Sequence, residues 1–350
     1  MKNLFIALFI LALGGQLFAQ PIDTAATIII EGNQDAELAY NNGVKQLGQN
    51  LYDQAIANFS QAITIKPEFT QAYVNRAAAK TAKLDYRGAL TDYSKAISID
   101  NSIADIYFSR ALMYYNLKKN DSALLEFDVA FSKGSTKAEL FYYRGVVKFA
   151  MKKFDESIAD FSQAILINPT YAYAYNDRGS AKRMLEDYKG AIIDYQNAAR
   201  LSPKLAFIYN NLGSAQRKSG DLEAAIKSYD LAIQWKADYA LAYNNRGSAK
   251  FDLGKYEEAL IDFRKAVTIN SSYAPAHNNL GTCLMKIKKY NEVVDAYSTA
   301  IKLDSNYGVA FFNRAAAYEM VRKSVEMCMD FQKASELGID AAKNYLGDCQ

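Results

Sequence analysis

The chain has 350 residues, half of them apolar and 13% aromatic, and a formal charge of only +3. That apolar content excludes intrinsic disorder. The lysine pairs Lys118-Lys119, Lys152-Lys153 and Lys288-Lys289 are scattered among acidic residues, which excludes a nucleic-acid footprint.

Residues 1–19, MKNLFIALFILALGGQLFA, place one lysine before a long apolar run and end on a small residue. This is the layout of a secretory signal peptide, expected to be cleaved after Ala19, and the run is short for a membrane span. Export to the periplasm or cell envelope, or secretion, is therefore expected, with no integral span after cleavage. Residues 20–35 form a lead whose Ile28-Ile29-Ile30 could extend a partner's sheet or tuck against the segment that begins at Ala36; the tuck is expected.

From Ala36 onward the chain repeats itself at an offset of 34, giving nine uninterrupted segments: 36–69, 70–103, 104–137, 138–171, 172–205, 206–239, 240–273, 274–307 and 308–341. Seat n denotes the nth residue of a segment. Seat 8 never carries more than a methyl group, from Gly43 to Ala315. Seat 27 is always alanine, seat 24 is always Phe or Tyr, and seat 32 is proline at Pro67, Pro169 and Pro203. Apolar seats recur at helical spacing in two stretches per segment, separated by a polar turn near seats 15 and 16. Each segment is predicted to be a helical hairpin that cannot bury its own apolar face, so neighbours must stack into an all-α solenoid.

These seats resemble the tetratricopeptide repeat, whose pattern has a large residue at seat 4, Leu-Gly at seats 7 and 8, Ala at 20, an aromatic at 24, Ala at 27 and Pro at 32. The resemblance covers residues 36–341. It implies a right-handed α-solenoid whose first helices line a concave groove that binds a peptide or another protein. Residues 342–350 form a stub expected to cap the last hairpin. Cys328 at seat 21 and Cys349 in the stub could be joined by a disulfide fastening that cap, or be two free thiols.

Seat 7 departs from the family leucine. It is Arg76, Arg110, Arg144, Arg178, Arg246 and Arg314 in six segments, and seat 23 in those same six is Asp92, Glu126, Asp160, Asp194, Asp262 and Asp330. In the other three, Asn42, Leu212 and Leu280 accompany Asn58, Ser228 and Ala296. In a hairpin turning about seat 15, seats 7 and 23 stand opposite each other, so each arginine is expected to latch to a carboxylate in two hydrogen bonds. The competing reading is a row of arginines aimed at an acidic ligand.

The groove is expected to use seats 5, 6 and 9. Seat 6 carries Asn41, Asn75, Asn211, Asn245, Asn279 and Asn313, amides able to donate to and accept from an extended peptide backbone. Seat 5 is Tyr40, Val74, Phe108 and Tyr142 in segments one to four, then Asn176, Asn210, Asn244 and Asn278, while seat 9 changes from apolar to Ser or Thr. An apolar entry followed by an amide-lined stretch is predicted; the competing reading is that these asparagines tie neighbouring turns and the apolar seats pack between helices. Segment three lacks an apolar seat 30, so a change of pitch is expected near Lys133-Gly134-Ser135. The family's clamp for a chaperone's C-terminal carboxylate needs basic residues at seats 2, 5 and 6, and none is present.

His277 falls at seat 4, where tyrosine recurs, and Trp235 at seat 30; both read as packed rings. There is no phosphate-cradling loop, metal spacing or catalytic triad, so neither an enzyme nor a cofactor is expected. The expected function is a non-catalytic scaffold binding an extended protein segment. A structural spacer or envelope assembly subunit, and a glycan-binding carrier, are the alternatives.

Overall fold

A computed structural model describes residues 34–349, so the signal-like run and the Ile28-Ile29-Ile30 lead lie outside the described residues. The chain divides into two compact units, Met1–Pro169 and Thr170–Gln350. The first contains α1 (Gln34–Gly48), α2 (Tyr52–Ile65), α3 (Thr70–Ala82), α4 (Tyr86–Ile99), α5 (Ala104–Asn116), α6 (Asn120–Ser132), α7 (Ala138–Ala150) and α8 (Phe154–Ile167). The second contains α9 (Ala172–Met184), α10 (Tyr188–Leu201), α11 (Ala206–Ser219), α12 (Leu222–Trp235), α13 (Ala240–Asp252), α14 (Tyr256–Ile269), α15 (Ala274–Lys286), α16 (Tyr290–Leu303), α17 (Gly308–Met320) and α18 (Ser324–Glu336), then a 3-10 helix, Asp340–Cys349. Within each unit, consecutive helices pair into hairpins that stack in chain order, the α-solenoid class.

The hairpin turn has one backbone rule. Seat 15 is left-handed in all nine repeats, at Asn50, Leu84, Lys118, Lys152, Glu186, Gly220, Gly254, Lys288 and Arg322. Only two of these are glycine, so seven turns hold a side chain in a strained conformation because the packed helices on either side over-determine it. Asp85, Asp187 and Asp221 at seat 16 then cap the second helix, each accepting from a backbone N–H three residues on.

Close approach explains the invariant seats. Every seat 27 alanine is fully buried, and every seat 24 ring is at most 2% exposed. A Cβ on Gly43 would stand 2.7 Å from Phe59 Cε1, and one on Gly281 the same distance from Tyr297 Cε1. The ring of the second helix thus occupies the space that a side chain at seat 8 would need.

The division between units falls at Pro169 and Thr170, so Lys133-Gly134-Ser135 lies within the first unit. Lys133 replaces the missing apolar seat 30, with its ammonium 5.2 Å from the Tyr107 ring centre, and Gly134 supplies the left-handed turn at φ 92°. Trp235 is not core; it is 41% exposed.

Candidate interaction face

All six seat 7 arginines grip their seat 23 carboxylate with two parallel bonds. Nη2 lies 2.6–2.8 Å from one oxygen and Nε 2.7–3.1 Å from the other, at Arg76 and Asp92, Arg110 and Glu126, Arg144 and Asp160, Arg178 and Asp194, Arg246 and Asp262, and Arg314 and Asp330. All six carboxylates are buried. Nη1 reaches back to seat 25 of the preceding repeat, as from Arg76 to Ser60, Arg144 to Asp128, Arg246 to Asp230 and Arg314 to Ser298. Each guanidinium also lies 5.3–5.7 Å from the centre of its own seat 4 ring. Burial works against the Arg246 charge, but hydrogen bonds to Asp262 and Asp230 outweigh it, and its pKa is raised. These arginines hold repeats together, and such a guanidinium has little left to offer a ligand.

Sequence reasoning missed a second cation. Lys80, Lys148, Lys182 and Lys250, at seat 11, place Nζ 2.7–2.9 Å from the same carboxylates. The signal was available: seat 11 lies one turn beyond seat 7, and it is glutamine in two of the repeats without an arginine. There Gln46 accepts from Asn58 and Gln216 from Ser228, a neutral replacement for the charged trio.

The asparagine seats separate into two layers. Asn176, Asn210, Asn244 and Asn278 at seat 5 are buried, 2–5% exposed. Asn211, Asn245, Asn279 and Asn313 at seat 6 are half-buried. Each seat 6 Nδ2 donates to the seat 5 Oδ1 of the preceding repeat, at 3.1, 3.0, 2.9 and 3.0 Å. The seat 5 amides are therefore struts between successive first helices, which corrects their expected place on the groove surface. In the first unit Asn75 is itself buried and donates to Tyr40 Oη at 2.9 Å, while Asn41 keeps a buried Oδ1 with no hydrogen-bond partner among the described residues.

Tyr40, Phe108 and Tyr142 also leave the expected surface. They are 2–8% exposed and lie 5.8–5.9 Å, centre to centre, from the seat 24 rings Phe59, Phe127 and Phe161. Side chains so covered cannot form an apolar groove entry. Half-exposed positions on the first helices of the second unit include seat 2, with Tyr173, Phe207, Leu241, Pro275 and Val309, seat 6, and the seat 9 hydroxyls. Ser180 and Thr282 meet the hydroxyls of Tyr195 and Tyr297 at 3.0 and 3.2 Å, so the buried tyrosines are satisfied at the floor of this face. His277 does what tyrosine does at its seat: its Nε2 lies 3.0 Å from Ser271 O, as Tyr209 Oη bonds Pro203 O.

Cys328 and Cys349 are joined by a disulfide, Cα to Cα 5.6 Å, and Tyr345 of the same 3-10 helix stacks on Phe331 at 4.5 Å. Cys283 is free and buried, and burial pushes its thiol up to about 11. Native protein is expected to resist alkylation near neutral pH, and unfolded, unreduced protein to take up one equivalent. Three equivalents would rule out the bridge.

The tetratricopeptide-repeat family profile matches residues 138–171, 240–273 and 274–307, each one repeat in the phase set out above, and a related repeat profile matches 213–254. The chain carries tetratricopeptide repeats. This repeat protein is also similar in fold to Cut9–Hcn1 of the APC/C hetero-tetramer, with TM-score 0.58, 15% identity, and 93% of this chain and 78% of that one covered. The C-terminal part of a TPR repeat-containing protein from Cytophaga hutchinsonii gives TM-score 0.56 and 19% identity over 68% and 97%. One from Parabacteroides merdae gives 0.54 and 17% over 72% and 100%. No curated protein sequence matches the repeat protein. Among its described residues no helix is long and apolar enough to cross a membrane, and no group of three His, Cys, Asp or Glu side chains could hold a metal ion.

Proposed function

We propose that this repeat protein is an exported, non-catalytic scaffold that holds an extended segment of another envelope or secreted protein against its first-helix face. The observation that carries the reading is the seat 6 row. Asn211, Asn245, Asn279 and Asn313 are half-exposed, and one N–H of each is fixed on a buried neighbour. Each amide is thereby held in one orientation, with its second N–H available to a passing backbone. Such recognition is indifferent to the sequence of the segment, which suits a scaffold. Export is supported by the signal-like run and by the Cys328–Cys349 disulfide, since such bonds persist in oxidising compartments.

The amides themselves are poor targets for mutation. Alanine at Asn211, Asn245 or Asn279 would leave the buried Oδ1 of Asn176, Asn210 or Asn244 without a donor, so stability and binding would fall together. Filling the face tests it instead. Leu241→Trp with Ser248→Trp is expected to abolish capture of the partner from an envelope extract while leaving the helical content intact. Undiminished capture would overturn the reading. A second reading, assembly through the second helices, rests on Ile193, Ile261 and Met329 at seat 22, which are 58%, 69% and 67% exposed. Under that reading Ile193→Glu and Ile261→Glu abolish capture, and the tryptophans do not.

A further inference from the structure

The first helices of the first unit carry a different chemistry. Tyr115 at seat 12 of α5 and Tyr143 at seat 6 of α7 are both half-buried, with ring centres 6.0 Å apart and planes at 56°. Phe108 and Tyr142 back the Tyr143 ring at 6.4 and 5.2 Å. One turn before Tyr143 on α7 stands Glu139, exposed and in no ion pair among the described residues. Burial, Tyr115 and the Glu139 carboxylate together push the Tyr143 hydroxyl up to about 12.

The nearby cations are almost all occupied. Arg110 and Arg144 are latched, Lys148 is on Asp160, and Lys137 holds Asp105. Lys118 lies 5.5 Å from the Tyr115 ring centre, so a cation already rests on that ring. Elsewhere the chain covers its seat 4 rings with its own guanidinium groups, yet among the described residues no lysine or arginine lies over Tyr143.

We propose that repeats three and four receive a cationic side chain, lysine or arginine, of a bound segment against the Tyr143 ring, beside Tyr115, with Glu139 as its counter-charge. A pair of electron-rich rings beside an uncompensated carboxylate attracts a cation and repels an anion. The proposal rests on the first-helix reading above and adds the ligand's charge. The second unit offers no such site, because seat 2 there carries Tyr173, Phe207, Leu241, Pro275 and Val309 in place of a carboxylate.

The test uses three fluorescein-labelled peptides that share a Ser-Ala host and differ at two central residues, Arg-Arg, Glu-Glu or Ala-Ala, titrated against the full chain by anisotropy. The arginine peptide is expected to bind about tenfold more tightly than the alanine peptide, and the glutamate peptide more weakly than either. Glu139→Gln, on an exposed side chain, and Tyr143→Leu are each expected to weaken the arginine peptide about fivefold. Equal affinity for the three peptides, no binding of the arginine peptide at about millimolar concentration, or an unchanged affinity in both variants would overturn the proposal. If the tryptophan variants still abolish partner capture in that case, the first-helix reading survives and only the cation site fails.

Discussion

Asp194→Ala will destabilise the protein by about 3 kcal/mol, read from urea unfolding and from amide exchange in α9 and α10. Asp194 is 1% exposed and accepts from Arg178 Nε and Nη2 and from Lys182 Nζ. Its removal strands two cations, and the effect stays below the upper end for buried pairs because the Arg178 and Lys182 side chains keep 19% and 23% exposure and can hydrate. Arg178→Ala will cost less, since Lys182 still compensates the carboxylate. The double variant Arg178→Ala with Asp194→Ala will cost less than the sum of the singles, and additive losses would contradict the latch. Repeat six supplies the sharper control. Its Leu212, Gln216 and Ser228 occupy the same three seats with a 2.6 Å neutral hydrogen bond. Arg178→Leu, Lys182→Gln and Asp194→Ser together should therefore be milder than Asp194→Ala alone.

The other large effect belongs to the seat 24 ring. Phe127→Ala is expected to cost about 3–5 kcal/mol, because a fully buried ring is replaced by a cavity that its neighbours cannot close. Ala111 and Ala130, the buried residues at seats 8 and 27 of the same hairpin, have no side-chain atoms to move into a space, and the Phe108 ring, 5.9 Å away, is held by its own packing against Tyr143. Amide exchange should accelerate most in α5 and α6, since each repeat touches only its neighbours. A loss under about 1 kcal/mol would mean that the site collapses and that seat 24 does not organise the hairpin.

Much of this was legible in the sequence because the chain contains nine versions of one experiment. Seats 8, 24 and 27 declare the hairpin by their invariance, and seats 7 and 23 declare the latch by changing together. The seat 5 asparagines misled for a physical reason. A polar side chain is read as surface, and Asn210 or Asn244 can be buried only because the next repeat brings it a donor. That dependence was also written in the chain, at an offset of 35 and not 34, where Asn176, Asn210, Asn244 and Asn278 meet Asn211, Asn245, Asn279 and Asn313. Tyr40 and Asn75 form a mixed version of the same pair. Phe108 and Tyr142 were misplaced because an aromatic residue on a first helix fits a groove wall and an inter-helix seam equally well, and only the position of the seat 24 ring decides between them. Trp235 erred in the other direction, since seat 30 is apolar in most repeats yet lies at a helix end where one face meets water.

The central claim is that the first-helix face binds and the latched arginines build. A photo-reactive benzoylphenylalanine placed in turn at Leu241, Ser248 and Ile261 tests it in cells, with one position at seat 2, one at seat 9 and one on the second helix. Crosslinks from Leu241 and Ser248 to the same partner segment, with none from Ile261, are the predicted result. Crosslinks from Ile261 alone would contradict it.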